Sequence, residues 1–499
     1  MLLYRWLKDV TDERGSAKAL VYRDTYLSWR GLLHRVDRRA QEFQAMGIQK
    51  GDWVGLMLGN VPDFVILALA LSKLDACLIP LDPTTGTREL EMVLDAAPMR
   101  GLITRPRGGD TPQQPSGTLP PPRSVKAQPP KPTKPSQTPE SRRRLQGTLL
   151  TCSIYKRATR PDSGEAPRVI LFTTDVGGDP KGVLRTSGNL EASTKLITSA
   201  LEMTPNDRIL TAVPLYHAYG FDFGLLPGLK LGATLYLEDE VAPRRIAKVL
   251  REQEISIVPG TPTVYQQLAK IPTARALRTR GARFLSGGSR LEEQVAEAFR
   301  ARYGQRLISV YHTTEAGVVA IDRRGQSPES VGKVVDGVEV RLTNAQGAPL
   351  AAGADKGVIW VHSTAVSPGA VGPHALKQPK ARRGAPAGER DSTGWYRTGD
   401  LGRFDRSGRL FLEGREDDLV KVDGKRVALG EVEGCLESFP KVKEAQALVI
   451  QDPLGGPMVI ARVVPLGRCK AEEIIDHCAR NLAPYKVPRR IEFCESLGN

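Results

Sequence analysis

The chain has 499 residues, of which 40% are hydrophobic, enough to build a core in each of roughly two to four domains, so a mini-protein and a wholly disordered chain are both excluded. Lys and Arg number 71 against 56 Asp and Glu, and the net charge of +15 invites a nucleic-acid reading, because basic surfaces collect polyanions by releasing counterions. That excess sits mostly in residues 105–168, with 13 basic and 4 acidic side chains, and in residues 371–392, with 5 and 2, which assigns it to loops and argues against nucleic acid as a partner.

From Leu27 to Pro83 the text alternates helical and strand patterns. RGLLHRVDRRAQEFQAMG places Leu33, Val36, Ala40 and Phe43 on one stripe and ends in Gly47, a helix with a glycine stop. WVGLMLG then reads as a strand, DFVILALALSKLD as a buried helix and ACLIPLD as a second strand, a βαβ succession that predicts a mostly parallel sheet covered by helices. Residues 105–168 interrupt it with 13 prolines and runs such as PPPRSVKAQPPKPTKP, which predict an extended, disordered Pro/Arg-rich loop. The α/β pattern returns with helices near Leu190–Glu202, Pro243–Gln253 and Gln294–Tyr303, and strands near Arg208–Val213, Ile255–Val258 and Leu307–Val310. After Tyr396 come short strands and helices that fit a separate α+β unit joined near Gly414.

Six cysteines without a CxxC pair point to reduced thiols and away from a zinc ribbon or a disulfide framework. The N-terminus MLLYRWLKDV carries Arg5, Lys8 and Asp9 where a signal peptide needs an apolar core. The clean apolar run Phe64–Leu71 falls short of the ~18–20 residues of a membrane helix. A cytoplasmic chain is expected, with room for peripheral membrane contact.

Four segments carry polar chemistry. VILFTTDVGGDPKGVLRTSGNL runs from a strand through a Gly-rich turn holding Lys181 toward a helix, and offers N–H groups, hydroxyls and an ammonium to a phosphate. It is not a Walker loop, and taken alone it reads first as a solvated turn with an incidental lysine. SVYHTTEAG sets Thr313, Thr314 and Glu315 at a strand end, where ligands gather in open α/β sheets and where a carboxylate with hydroxyls suits Mg²⁺. WYRTGDLGRF puts Asp400 in a turn after a strand, placed to accept both hydroxyls of a ribose, and GREDDLVKVDGKRV reads as a charged hairpin.

In this order and with these gaps, the segments resemble the acyl-adenylate-forming superfamily of acyl-CoA synthetases, nonribosomal adenylation domains and luciferases. LSKLDACLIPLDP, PLYHAYGF, LSGGSRL, YHTTE, SVGKVVDGVEV, YRTGDL, GREDDLVKVDGKRVALGEVE and APYKVPRRIEF are similar to successive motifs of that family, over nearly the whole chain outside the two basic loops. The resemblance implies an α/β fold: a large N-terminal domain of mostly parallel and mixed sheets, residues 1–413, and a small α+β C-terminal lid, residues 414–499. It implies that Lys181, Thr173, Thr174 and Gly178 face the phosphates of ATP, that Tyr311 stacks near adenine, and that Gly287 and Gly288 line its pocket. Thr314 and Glu315 would serve phosphate and Mg²⁺, Asp400 and Arg415 the ribose, Asp417 the hinge, and His217 the mouth of an acyl pocket. The implied reaction joins a fatty or aryl acid to AMP with loss of pyrophosphate, then passes the acyl group to CoA or to a carrier protein's phosphopantetheine.

Two departures stand out. The phosphate loop reads FTTDVGGDPKG where the family has YTSGTTGxPKG, so Asp175 adds a negative charge that, if turned inward, repels polyphosphate by roughly a few kcal/mol. The sequence also stops at ESLGN, ahead of the GK segment that carries the family's lid lysine. Three readings stand at this point: an acid–thiol ligase, a degenerate member that binds nucleotide or acyl-AMP with impaired adenylation, and an interaction protein using the basic Pro-rich loop. Asp222 is expected to be solvated or capping, with contact to a substrate amino group as the alternative, and His312, where the family has Gly, to narrow the acyl or adenine pocket.

Overall fold

The computed structural model describes residues 1–105, 139–156, 166–174, 180–239, 242–271, 281–344, 347–350, 356–372, 390–416, 419–422, 425–452 and 456–494. Helix α1 (Trp29–Ala45) begins where the Ser28 hydroxyl accepts the Gly31 N–H and ends before Gly47, whose φ of +83° suits a residue without Cβ. It buries Trp29, Leu32, Val36, Ala40 and Phe43; Leu32 takes the inward place expected of Leu33, which is only partly buried. Strand β1 (Trp53–Met57), helix α2 (Pro62–Lys73) and strand β2 (Cys77–Leu81) form the expected βαβ unit, with Trp53 opposite Cys77 in a parallel register. Every residue from Phe64 to Leu71 is buried, as a helix apolar on all sides requires.

Helix α3 (Thr87–Ala96) leads into β3 (Gly101–Thr104), parallel to β1. The expectation of one disordered loop over 105–168 needs correction. Residues 106–138 and 157–165 lie outside the described residues, but 139–156 hold a hairpin of β4 (Ser141–Arg144) and β5 (Thr151–Ile154), and β5 pairs with β3. Leu145, Leu150, Cys152, Ile154 and Tyr155 are buried there, and that apolar area outweighs the basic, Pro-rich composition of its surroundings.

Strand β6 (Val169–Thr174) lies parallel to β2 and turns back antiparallel into β7 (Pro180–Arg185), with Thr173 opposite Lys181. The Lys181 segment is therefore a hairpin arm rather than a direct entry into a helix. The helix follows one residue later: α4 (Ser187–Ala200) starts in a capping box between Thr186 and Asn189. These strands form an eight-stranded sheet in the order Ala370–Val371, β7, β6, β2, β1, β3, β5, β4.

A second, thirteen-stranded sheet contains the parallel strands Ile257–Gly260, Arg283–Ser286 and β8 (Leu307–Thr313), and continues antiparallel through β9 (Gly317–Ile321). Strands β10 (Tyr396–Phe404) and β11 (Leu410–Arg415) belong to it, so Asp400 lies inside a strand and not in the expected turn; it pairs with Arg415 across the ladder. The C-terminal residues build separate sheets: the hairpin β12 (Leu419–Val422) and β13 (Lys425–Ala428), helix α5 (Leu429–Glu437), and the three strands β14 (Val442–Asp452), β15 (Gly456–Pro465) and β16 (Arg490–Phe493), with helix α6 (Ala471–Asn481) between the last two. Val427, Val432, Leu436, Val459, Val463, Ile474 and Cys478 give this unit its own core. The architecture is thus a large α/β body of two mixed sheets with a small α+β unit. Among the described residues no helix is long and apolar enough to cross a membrane.

Candidate active site

The C-terminal end of β8 carries the first cluster. Just past Thr313, Glu315 is almost fully buried and its Oε1 lies 3.3 Å from the Nζ of Lys181, which reaches over from β7. A parallel strand end thus meets a hairpin arm of the other sheet, and the chain brings an ammonium and a carboxylate together across 134 residues. Thr173 sits beside Lys181 in the ladder. Thr174 ends β6, with its side chain outside the described set, and Gly178, Asp175 and Asp417 lie outside the described residues altogether.

The second cluster is on the same strand. The buried Tyr311 hydroxyl donates to Asp400 Oδ2 at 2.6 Å, and Arg415 Nη1 donates to Asp400 Oδ1 at 2.5 Å. Burial, and next the Asp400 carboxylate beside it, raise the Tyr311 phenol far above its ordinary range. Register explains the clamp: β10 and β11 place Asp400 and Arg415 directly opposite, and β8 presents Tyr311 to the pair. Gly288 and Tyr311 line a groove with Ser286, Ser309 and His312. Gly287 does not line it; a Cβ there would lie 2.7 Å from the Tyr219 ring, so this glycine permits close packing of the neighbouring helix.

His217 caps the short helix Ala218–Gly220, its Nδ1 accepting the Tyr219 N–H at 3.4 Å. It opens on a cleft between body and C-terminal unit, walled by Asp82, Thr173, Tyr216, Lys425 and Tyr485. Lys425 donates to Asp82 across this cleft and stands 4.5 Å from the centre of the Tyr485 ring. Burial pushes the Asp82 carboxyl up, but Lys425 outweighs it and holds the group below its ordinary range. Lys486, only 2% exposed, lies 2.9 Å from Glu431 and 3.3 Å from Glu89. Burial disfavours its charge, yet Tyr485, Glu89 and Glu431 together raise it above the usual ammonium range.

A third cluster escaped the sequence reading. Arg185 and Asp222 are both fully buried and joined at 3.2 Å through Nη1 and Oδ2. The same Asp222 oxygen meets His312 Nε2 at 3.1 Å and accepts from the Ser193 hydroxyl at 3.1 Å. Arg185 Nη1 also donates to the Thr314 carbonyl at 3.3 Å, which ties the cluster to the backbone beside Glu315. Burial raises the Asp222 carboxyl, but Arg185 and His312 prevail and hold it below its ordinary range. Asp222 is therefore not solvated as expected. His312 lines the groove, with its ring 6.0 Å from that of Tyr219 and 5.7 Å from that of Phe223. The signal for Arg185 was available in PKGVLR, where Lys181, Val183 and Arg185 alternate onto one face of a strand.

Lysine with carboxylate, and tyrosine with aspartate and arginine, thus gather about the C-terminal end of one strand, β8, where open α/β sheets bind their ligands. Residues 7–370 match the AMP-binding enzyme family and residues 431–498 match the AMP-binding enzyme C-terminal domain, so the chain belongs to the AMP-binding enzyme family. It is an acid–thiol ligase of the acyl-CoA synthetase type, using ATP to activate a carboxylic acid that then passes to CoA. It is 28% identical over 488 residues to a feruloyl-CoA synthase of Amycolatopsis sp, covering 96% of this chain and 92% of that protein. It is 29% identical over 488 residues to the medium-chain fatty-acid–CoA ligase of Escherichia coli K12, covering 94% and 82%. Among solved structures, an amide bond synthetase from Marinactinospora thermotolerans shares the fold with a TM-score of 0.79 at 24% identity, covering 99% of this chain and 96% of that one. The o-succinylbenzoate CoA synthetase of Bacillus subtilis does so at 0.77 and 21% identity, covering 99% and 95%.

Proposed function

We propose that the chain activates a fatty or aryl acid and hands it to the thiol of CoA, or of a carrier protein's phosphopantetheine, with the division of labour that follows. The observation that carries this reading is the convergence of Lys181 and Glu315 with Tyr311, Asp400 and Arg415 along one strand, β8, at its C-terminal end. Asp400 and Arg415 hold the ribose hydroxyls, Tyr311 stacks near adenine, and Gly288, with Gly287 behind it, shapes that pocket. Lys181, Thr173, Thr174 and Gly178 face the phosphates, and Thr314 and Glu315 complete that end.

Attack of a carboxylate on the α-phosphate is opposed by like charge, so the ammonium of Lys181 acts where negative charge accumulates. A lone carboxylate beside hydroxyls is a donor set that fits Mg²⁺, which takes one or two protein carboxylates and otherwise phosphate and water oxygens. Glu315 would hold it, and the ion would neutralise phosphate charge. Residues 1–413 serve as the nucleotide- and acid-binding body and 414–499 as the lid, with Asp417 as hinge. The cleft beside His217, walled by Lys425 from the lid, is the mouth of the acyl pocket. Six free cysteines fit a reducing cytoplasmic setting.

Carboxylate-dependent exchange of labelled pyrophosphate into ATP tests the reading over a panel of fatty and aryl acids. Exchange is expected with at least one acid, and Lys181→Ala is expected to lower it about 10²-fold, the usual cost of removing one charge-stabilising donor. No exchange with any acid overturns it.

A further inference from the structure

Away from the active site, one open pocket is dominated by arginine. Arg35, Arg38 and Arg39 line it from helix α1 and Arg105 from the end of β3, and the turn of the β4–β5 hairpin closes it with Thr148 and Leu149. Its walls are fixed. The buried Arg39 pairs with Glu42 and donates from Nη2 to the Gln146 carbonyl at 2.8 Å, while Glu42 Oε1 accepts the Gln146 N–H at 2.7 Å, so helix and turn are pinned together. Arg39 and Glu42 thereby cancel. Arg35, Arg38 and Arg105 are exposed, and none of them has an ion-pair partner among the described residues. Asp63, in the first turn of α2, is the one carboxylate in the lining, so three unpaired guanidinium groups face a single negative charge.

The basic surface continues past the rim. Arg142, Arg143 and Arg144 of β4 are exposed; Arg143 reaches the Ala45 carbonyl at the end of α1, and Arg144 Nε donates to the Thr148 carbonyl at 2.8 Å, which holds it at the pocket. On the same turn stands Leu149, an apolar side chain left 57% exposed among these cations. Charge and shape together select the occupant. Planar guanidinium forks with no carboxylate of their own suit phosphate oxygens. A small soluble phosphate ester would fill the pocket, but it would leave the β4 arginines and Leu149 without a role. An anionic lipid surface engages all of them: one headgroup phosphate enters the pocket, its neighbours meet β4, and the leucine leaves water for the acyl boundary.

Position gives such a contact a use. Strands β1, β2 and β3 are parallel, and Asp63 and Arg105 follow β1 and β3 at the same rim of the sheet where Asp82 follows β2 into the cleft beside His217. Two strand spacings, about 10 Å, separate β2 from β3, so pocket and cleft lie along one edge.

We propose that helix α1 and the β4–β5 hairpin form a docking surface for an anionic membrane, with a lipid headgroup phosphate held by Arg35, Arg38 and Arg105 and with Leu149 inserted beside it. A docked protein brings its cleft to the bilayer, where acids with apolar tails are concentrated. The docking does not depend on the acid-activation reading; that use of it does.

Flotation of the full chain with vesicles tests the docking, phosphatidylcholine alone being set against equal parts phosphatidylcholine and phosphatidylglycerol. The anionic vesicles are expected to bind at least about tenfold more tightly, and the preference to vanish as salt rises toward about 1 M, where charges are screened beyond about 3 Å. Arg35→Gln with Arg38→Gln is expected to weaken binding roughly 20-fold, at about fivefold for each charge near the surface. The chain carries a net charge of +15, so a second double variant controls for charge alone. Arg300→Gln with Arg306→Gln removes as much charge from exposed sites elsewhere on the body and is expected to cost less than about twofold. Leu149→Trp adds an emission expected to shift to the blue on anionic vesicles and not with glycerol phosphate or a short DNA duplex. No preference for anionic vesicles, or equal losses in the two double variants, overturns the surface. An emission unmoved by vesicles, with glycerol phosphate displacing the protein from them, overturns it too and makes the pocket a site for a soluble phosphate ester. Failure of pyrophosphate release with every acid would overturn the activation reading and leave the docking standing.

Discussion

Two buried ion clusters of this protein use the same chemistry for different ends. Arg185, Asp222 and His312 are sealed inside the body and join strands β7 and β8 to the helix after His217. Lys425 with Asp82, and Lys486 with Glu89 and Glu431, lie between the body and the C-terminal unit, beside a cleft open to solvent. Desolvation opposes an ion pair wherever it is buried, and only good geometry offsets it. In the sealed cluster nothing relieves that cost when a partner is lost. At the interface, water enters as soon as the units separate, so those pairs can break and reform. A rigid internal tie between elements is built from the first kind, a docking contact from the second.

The sharpest way to break the comparison is Asp222→Ala, which strands a fully buried guanidinium. A loss of about 3–5 kcal/mol in the denaturant unfolding of the body is expected, and a loss below 1 kcal/mol would place water in the cluster. At the interface, Lys486→Met leaves two carboxylates that separation of the units hydrates. Its effect is expected in the thioester-forming half-reaction, about tenfold, with a much smaller change in the unfolding of the body; equal effects on both would erase the distinction.

Replacing Asp175 by Gly tests the phosphate end. A few-fold rise in pyrophosphate exchange is expected if the charge opposes polyphosphate, whereas a fall would show that Asp175 contributes to the site. The smallest effect concerns pH. The folded Asp82 carboxyl titrates below the ordinary carboxylate range, so the Lys425–Asp82 contact contributes stability that is complete above that range and is lost as pH falls through the folded value. Docking of the C-terminal unit, followed by fluorescence transfer between labels on the two units, is therefore expected to stay flat from about pH 6 to 8; a transition in that window would implicate another group.

Legibility in the sequence followed the range of the interaction. The βαβ unit over residues 53–81 was readable because periodicity and glycine stops act within a dozen residues. The Asp400 and Arg415 segments were singled out through motif resemblance, although their pairing depends on a ladder register that no local pattern displays. The 139–156 hairpin was lost because a composition averaged over a Pro-rich stretch hides the short alternation around Leu150, Cys152 and Ile154. The Arg185 cluster was hidden for a deeper reason. Its members stand 37 and 90 residues apart, and a buried arginine on a strand looks like a surface one until its partners are known.

The ladder that joins Asp400 to Arg415 has one more consequence. Arg415 is the last residue of β11, a strand of the thirteen-stranded sheet of the body, so on the proposed reading the part that moves begins after it, at the Asp417 hinge, and not at residue 414; the next described strand, from Leu419, belongs to the lid. On that reading the grip on the sugar is anchored on the stationary side of the pivot, and a swing of the lid does not have to loosen it. On the proposed reading, a reactive mixed anhydride stays tethered by its nucleotide handle while the machinery around it is exchanged. The intermediate is then handed from one half-reaction to the next without a dissociation step in which water could intercept it.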